Sequence, residues 1–474
     1  MIRRPLVIAL ATAMGLSALM PATASAEDLL QTYELARDSD PQLSASEASR
    51  LAVKEGAVQT RAAMLPQIDG SASIGRAENH NRGDLSFNPD GTLTGGDSQT
   101  DTTTRSTEVR LSQMIYDRAN FTRHKSQKAL SEASDFQLQA AGNDLITRTS
   151  AAYFNVLIAL ESLVAAEAAE TALKKQFDYA SKRLEVGLAP ITDVHEARAQ
   201  YDSARANTIL ARNILEDAYQ GLTELTGKDV RGVKGLPKDF QPVLPESRDA
   251  EGWVQTAIEN NPALRAKDLQ VQSTEADVET ARAGHWPRLY LNGSYGDSTA
   301  WGDSTLHDLG ITRDNDSRQY GPAVGVTLSV PIFAGGATQS GVRQALARHD
   351  VATDELESQK RSLIRNTRNA YQTLVASVSE VEARRLALVS AKSAYDASQV
   401  GLEVGTRTVL DVLQNQNNLF RAQLEYARAR YNHLQNRLLL EQAAGTLDIA
   451  DVQDINRLLT LDTESYVAPG DVQG

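Results

Sequence analysis

The chain has no cysteine, which excludes disulfides, thiolate metal centres and lipid attachment at an N-terminal cysteine of a mature chain. Histidine is also scarce. The seven are dispersed, with no helical metal-binding pair, and neither a phosphate loop nor a nucleophile elbow occurs. Glu355 with Glu357, and Asp314 with Asp316, read as solvated charges rather than acid–base pairs, so no enzyme and no cofactor is expected. Positive charge is in deficit too. The net charge is −13, and an acidic chain is a poor coat for nucleic acid. Long apolar runs are missing beyond the N-terminus. The most apolar later stretch, Ala151 to Ala169, is interrupted by Asn155, Glu161 and Glu167, whereas a helical span needs about 20 mostly apolar residues. Any membrane crossing must therefore use strands.

What is present begins with an export signal over residues 1–26. Arg3 and Arg4 precede an apolar stretch from Leu6 to Met20, and Ala24-Ser25-Ala26 has the small residues of a cleavage site. Its removal takes away two arginines and no acid, bringing the net charge from −13 to −15.

The remainder is written twice. Asp40-Pro41-Gln42-Leu43 recurs as Asn261-Pro262-Ala263-Leu264, and Leu65-Pro66 as Trp286-Pro287. Leu111-Ser112 with Ile115-Tyr116 returns as Leu328-Ser329 with Ile332-Phe333. Gly187 with Asp193-Val194 returns as Gly405 with Asp411-Val412, and Thr226-Gly227 as Ala444-Gly445. The expected organisation is a first repeat over 27–227, a proline-bearing linker over 228–250, a second repeat over 251–447 and a tail over 448–474.

Each repeat reads as helix, strand, loop, strand, long helix, tight turn and helix. In the first, one helix is expected from about Leu29 to Met64, strands near 67–76 and 106–115, and a helical hairpin over 118–226. The second should carry strands near 288–297 and 320–332 and a hairpin over 334–446. A helix from Arg118 to Glu185 would be roughly 100 Å long and needs lateral partners. The spacing supplies them. Val194, Ala197, Tyr201, Ala204, Thr208 and Ala211 step by threes and fours, as do Leu413, Asn417, Phe420, Leu424, Ala427 and Tyr431, the rhythm of a coiled-coil seam.

The strands alternate. Val324, Val326, Leu328 and Val330 oppose Ala323, Gly325, Thr327 and Ser329, while Val109, Leu111 and Ile115 oppose Glu108, Arg110 and Ser112. Such faces fit a transmembrane barrel or a half-exposed soluble sheet. The long polar connections, Asn79 to Thr103 and Asp297 to Gln319, favour the barrel. Four strands cannot close one, because about eight is the smallest number known and open edges are excluded from lipid. Oligomerisation is then obligatory. The rival reading, a soluble periplasmic coiled-coil adaptor, leaves the repeated strand pairs unexplained.

Several stretches carry a more specific signal. Ala152-Tyr153-Phe154-Asn155-Val156-Leu157, Gly187 through Tyr201, and Val404-Gly405-Thr406-Arg407-Thr408 through Leu413 resemble the TolC family of outer-membrane efflux proteins. Val330-Pro331-Ile332-Phe333 and Ala427 through Asn432 support the likeness, which covers nearly all of the chain after its signal. The resemblance implies a mixed α and β membrane protein. A homotrimer would form a twelve-stranded β-barrel, four strands from each chain, continued by a coiled-coil periplasmic tunnel. It further implies a periplasmic adaptor, an inner-membrane transporter of the RND, ABC or MFS class, and contact with outer-membrane lipid.

By the same resemblance, the turns at Gly187 with Pro190, and at Gly405 with Thr408, lie at the periplasmic tip. Thr192, Asp193 and Arg407 match positions that hold a closed aperture, and Asp411 matches one whose three copies would form a cation-binding carboxylate ring. Leu402 stands where relatives carry a tyrosine of that network, and Gln414 where they carry a second ring aspartate. A plainer role competes, because Thr408-x-x-Asp411 has the spacing of a capping box.

Overall fold

The structure, a computed structural model, describes residues 28–462 apart from 92, 189, 238 and 245–248. The expected signal over 1–26 and the end of the tail lie outside the described residues. The first half contains helices α1 (Leu29–Ser39) and α2 (Pro41–Ala62), then strands β1 (Gln67–Asn81), β2 (Ser86–Phe87), β3 (Leu93–Thr94) and β4 (Ser98–Tyr116). Helices α3 (Arg118–Glu185) and α4 (Ile191–Thr226) follow, and the connection to the second half holds β5 (Lys234–Gly235). The second half repeats the order with α5 (Ala250–Asn260), α6 (Pro262–Arg282), β6 (Arg288–Leu306), β7 (Ile311–Asp314), β8 (Ser317–Ser329), α7 (Ala337–Glu403) and α8 (Val409–Ala444). A last helix, α9 (Ile449–Leu458), leads into β9 (Leu461–Asp462), which pairs with β5.

The single helix expected over 29–64 is two helices. Asp40 ends α1 and caps α2 in an extended conformation, because Pro41 disfavours helix in the residue before it. The Asp40 carboxylate accepts the Leu43 N–H at 3.0 Å and an Arg148 N–H at 2.9 Å, so the break is anchored to α3. Asn261 breaks the second half in the same way. It accepts the Leu264 N–H at 3.1 Å and donates to the Ala443 carbonyl at 3.2 Å.

The strands form one antiparallel sheet in the order β1-β4-β6-β8, with β7 continuing the β8 edge along the far end of β6. Most run longer than the alternation suggested. Residues 98–106 are threonine-rich on both faces, so pairing extends where the apolar signal has no amplitude. Strand β8 instead stops at Ser329, short of 332, since Pro331 cannot donate to a ladder. Helix α7 likewise starts at Ala337 rather than 334, after Gly335 and Gly336 turn the chain at positive φ.

Across the sheet, Ile68, Leu111, Gly293 and Val324 stand in one row, and Leu291 with Val326 and Leu289 with Leu328 extend that face. The opposite face reads Asp69, Arg110, Ser294 and Ala323. The regular pairing of the Val109 and Leu111 face is interrupted at Ile115. A β-bulge makes it the extra residue between Met114, opposite Tyr290, and Tyr116, opposite Leu289. Tyr116, opposite Leu289, stands on the apolar face. That face is bare in the single chain: Ile68 is 70% exposed and Val324 80%. Strands β1 and β8 each keep one unpaired edge among the described residues.

The main core is a belt around the middle of the long helices. Leu29 and Tyr33 of α1, Tyr153, Phe154 and Leu157 of α3, Tyr431 and Leu438 of α8, and Val452 and Ile455 of α9 form one buried cluster. Inside the belt Glu441 is 6% exposed, with Oε1 3.3 Å from Arg437 and Oε2 sealed without a partner. Burial, with Asp451 adding to it, pushes its carboxyl up to about 8, against the lowering effect of Arg437. Among the charged groups around it, Arg437 is also 3.9 Å from Asp454. A raised folded pKa means that Glu441 costs nothing below its unfolded pKa and costs increasingly as pH rises towards 8. Glu441→Gln should therefore be near neutral at pH about 4.5 and stabilise at pH 8 by on the order of 1–3 kcal/mol. Thermal unfolding of both proteins across that range measures the difference, and parallel pH profiles would contradict it.

Candidate channel gate at the helical tips

Each long hairpin reverses in the same way. Helix α3 ends with Gly187 at φ 75°, and the Leu188 N–H reaches back to the Arg183 carbonyl at 2.8 Å. Helix α7 ends with Gly405 at φ 77°, and the Thr406 N–H reaches the Gly401 carbonyl at 2.8 Å. Both are Schellman-type ends, where a residue with a Cβ is strained. Pro190 then starts α4 without a side-chain cap, placing Thr192 exposed and Asp193 half-buried in its first turn.

The second turn is capped fully. Thr408 Oγ1 accepts the Asp411 N–H at 3.2 Å, while Asp411 Oδ2 accepts the Thr408 N–H at 2.9 Å and its hydroxyl at 2.8 Å. The Thr408 N–H and hydroxyl hold the Asp411 carboxyl below the ordinary carboxylate range, and nearby Arg407 adds to this. The capping box is therefore real. It occupies one oxygen of Asp411; Oδ1 accepts nothing from the described residues.

Leu413 is fully buried and packs with Leu173 of α3 and Ala204 of α4, with Tyr201 and Val409 beside them. Phe177 and Tyr201 stack 6.2 Å apart in the first hairpin. This small core joins the two hairpins near their tips and sets Asp411, half-buried, at the edge of the join, with Gln414 exposed one turn on and Leu402 half-buried on α7. Within one chain the structure does not bring Arg407 to Asp193 as an ion pair. Arg407 is exposed, and its stem lies across Gly401, where an added Cβ would come within 2.6 Å of Cγ. Gly401 thus makes room for the Arg407 stem, which spacing did not reveal; its only signal is a glycine in the last helical turn before Gly405. Among the described residues no three metal-ligating side chains cluster in one chain, so a cation site at Asp411 requires several copies of it.

The family model described as outer membrane efflux protein matches residues 32–228 and 253–446, one match for each half. Outer membrane protein TolC of Vibrio cholerae is 32% identical over 431 residues, covering 91% of this chain and 93% of the relative. TolC of Escherichia coli is 34% identical over 437 residues, covering 92% and 85%. The crystal structure of the Campylobacter jejuni CmeC outer membrane channel superposes with a TM-score of 0.70 over 98% of this chain and 99% of that one, at 18% identity. The duplicated chain with its four-stranded sheet and paired helical hairpins belongs to the outer membrane efflux protein family, and is an outer-membrane efflux channel.

Proposed function

We propose that this channel is the exit duct of a tripartite efflux pump or type I secretion system, and that it works as a homotrimer. One observation carries the reading. A sheet with an exposed apolar face and unpaired edges at β1 and β8 is joined to helices of 68 and 67 residues, each about 100 Å long. In lipid the two edges must be paired, and three copies pairing β8 of one with β1 of the next give a closed twelve-stranded barrel. Its apolar face meets outer-membrane lipid; the Asp69, Arg110 and Ser294 face lines the water-filled lumen. The repeats over 27–227 and 251–447 then continue as a coiled-coil tunnel, with the linker and the tail forming its belt. A periplasmic adaptor and an RND, ABC or MFS transporter would meet the tunnel at its tips. There, three copies of Asp411 would ring the aperture, with Thr192, Asp193, Leu402, Arg407 and Gln414 around it.

Mass measurement of the purified protein in detergent, with fractionation of cell envelopes, tests the proposal. A trimer from the outer-membrane fraction is expected. A monodisperse monomer with full strand content would sink the barrel.

A further inference from the structure

A cavity of about 350 Å³ lies within one chain, between α3, α7 and α8 and beneath β5. Leu157, Leu160, Val164 and Ala165 of α3 and Leu388 of α7 make its walls apolar, and Tyr426 and Tyr431 of α8 add two aromatic rings. Its volume falls in the range of small-molecule sites, about 300–1,000 Å³.

One charged pair stands at this apolar space, with Gln423 also in its lining. Arg430 is only 4% exposed, donates to Glu161 Oε1 at 2.8 Å and to the Pro237 carbonyl at 3.0 Å, and has the Tyr426 and Tyr431 rings 4.9 and 5.8 Å from its guanidinium carbon. Its Nε is sealed off, beyond the reach of a ligand. Glu161 spends Oε1 on both Arg430 and the Tyr431 hydroxyl, while Oε2 accepts nothing from the described residues. The Glu161 side chain is still 28% exposed. Glu161 Oε2 is thus the one unused acceptor of the pair, while each terminal nitrogen of Arg430 has spent one of its two N–H groups.

Charge decides the rest. A cationic ligand at Glu161 would sit beside the Arg430 guanidinium, and an anionic one would meet the Glu161 carboxylate. Both are opposed, because the pair is already neutral. We propose that this cavity is a binding site for a neutral, largely apolar molecule carrying one hydrogen-bond donor, a phenol or an alcohol, whose hydroxyl is received by Glu161 Oε2. Scaling from a 150 Å³ cavity that holds benzene, the occupant has about fourteen non-hydrogen atoms.

The probes are 1-naphthol and 1-methylnaphthalene, which are close in shape and differ in the donor. Equilibrium dialysis against the full-length protein held in an amphipathic polymer should show one saturable naphthol site per chain, about tenfold tighter than methylnaphthalene. Ala165→Trp fills the cavity one helical turn from Glu161 and should remove the saturable component, its assembly being checked by mass. A second filling variant, Val164→Phe, replaces it if the tryptophan disturbs assembly. Naphthol uptake without saturation, or saturation unchanged in the filled variants, overturns the site. Equal affinity for the two probes overturns the ligand class.

Discussion

Val326→Arg is expected to abolish recovery of assembled channel from the outer membrane, whereas Ser329→Arg assembles and alters conductance. Val326 pairs with Leu291 on the apolar face and is 62% exposed in the single chain. An arginine facing lipid near mid-membrane costs roughly 2–4 kcal/mol, and a trimer would bear that cost three times. Ser329 pairs with Arg288 on the opposite face, where a long cation faces water. Heat-modifiable mobility on gels reports assembly, and bilayer recordings report conductance. Equal tolerance at the two positions would mean that the faces are assigned the wrong way round.

The second large effect is expected at the tip. Three Asp411 side chains, each with one oxygen engaged by Thr408 and one unengaged, would concentrate negative charge in a narrow collar that binds multivalent cations. Asp411→Ala should weaken block by a trivalent cation from the periplasmic side by at least about tenfold, since three charges leave together. Asp411→Asn separates charge from capping: it retains an acceptor for the Thr408 N–H and should lose block to the same degree. Arg407→Ser should raise basal conductance by releasing a carboxylate on a neighbouring hairpin, Asp193 by the family match. With Leu402 in place of a tyrosine, the rise should stay below that of a complete network. If neither charge variant changes block and Arg407→Ser leaves conductance unchanged, Thr408 and Asp411 serve the helix end alone.

The features legible in the sequence are those whose cause is local. Thr408-x-x-Asp411 announces its capping box because both partners lie within one turn. Gly187 and Gly405 announce helix ends because only glycine takes that backbone cheaply. The alternation of Val324, Val326 and Leu328 announces a strand because one face is apolar. What stayed hidden depends on distant residues. The bulge at Ile115 is set by register against β6, so the alternation of Val109, Leu111 and Ile115 does not announce it. The break at Asp40 was open to reading through Pro41, yet its tie to Arg148 spans 108 positions. Gly401 matters only because Arg407 folds back over it. The Arg430 and Glu161 pair joins the two halves of the chain, 269 positions apart, and no spacing rule reaches across a duplication.

The two helix breaks hold a further consequence. The Asp40 joint is ionic: burial pushes its carboxyl up, but Arg148 and the Leu43 N–H outweigh this and hold it below the ordinary range. Its contribution is present above the unfolded pKa and lost as pH falls through the folded one. The Asn261 joint makes an equivalent link to α8 with no ionisable group. Duplication has thus left two copies of one hinge with different chemistry. In the proposed trimer they would alternate, an acid-labile joint beside an acid-inert one, six in all. Acidification would slacken every second joint of that ring, so the response to low pH would keep threefold symmetry while abandoning the sixfold pseudo-symmetry that the duplicated sequence began with.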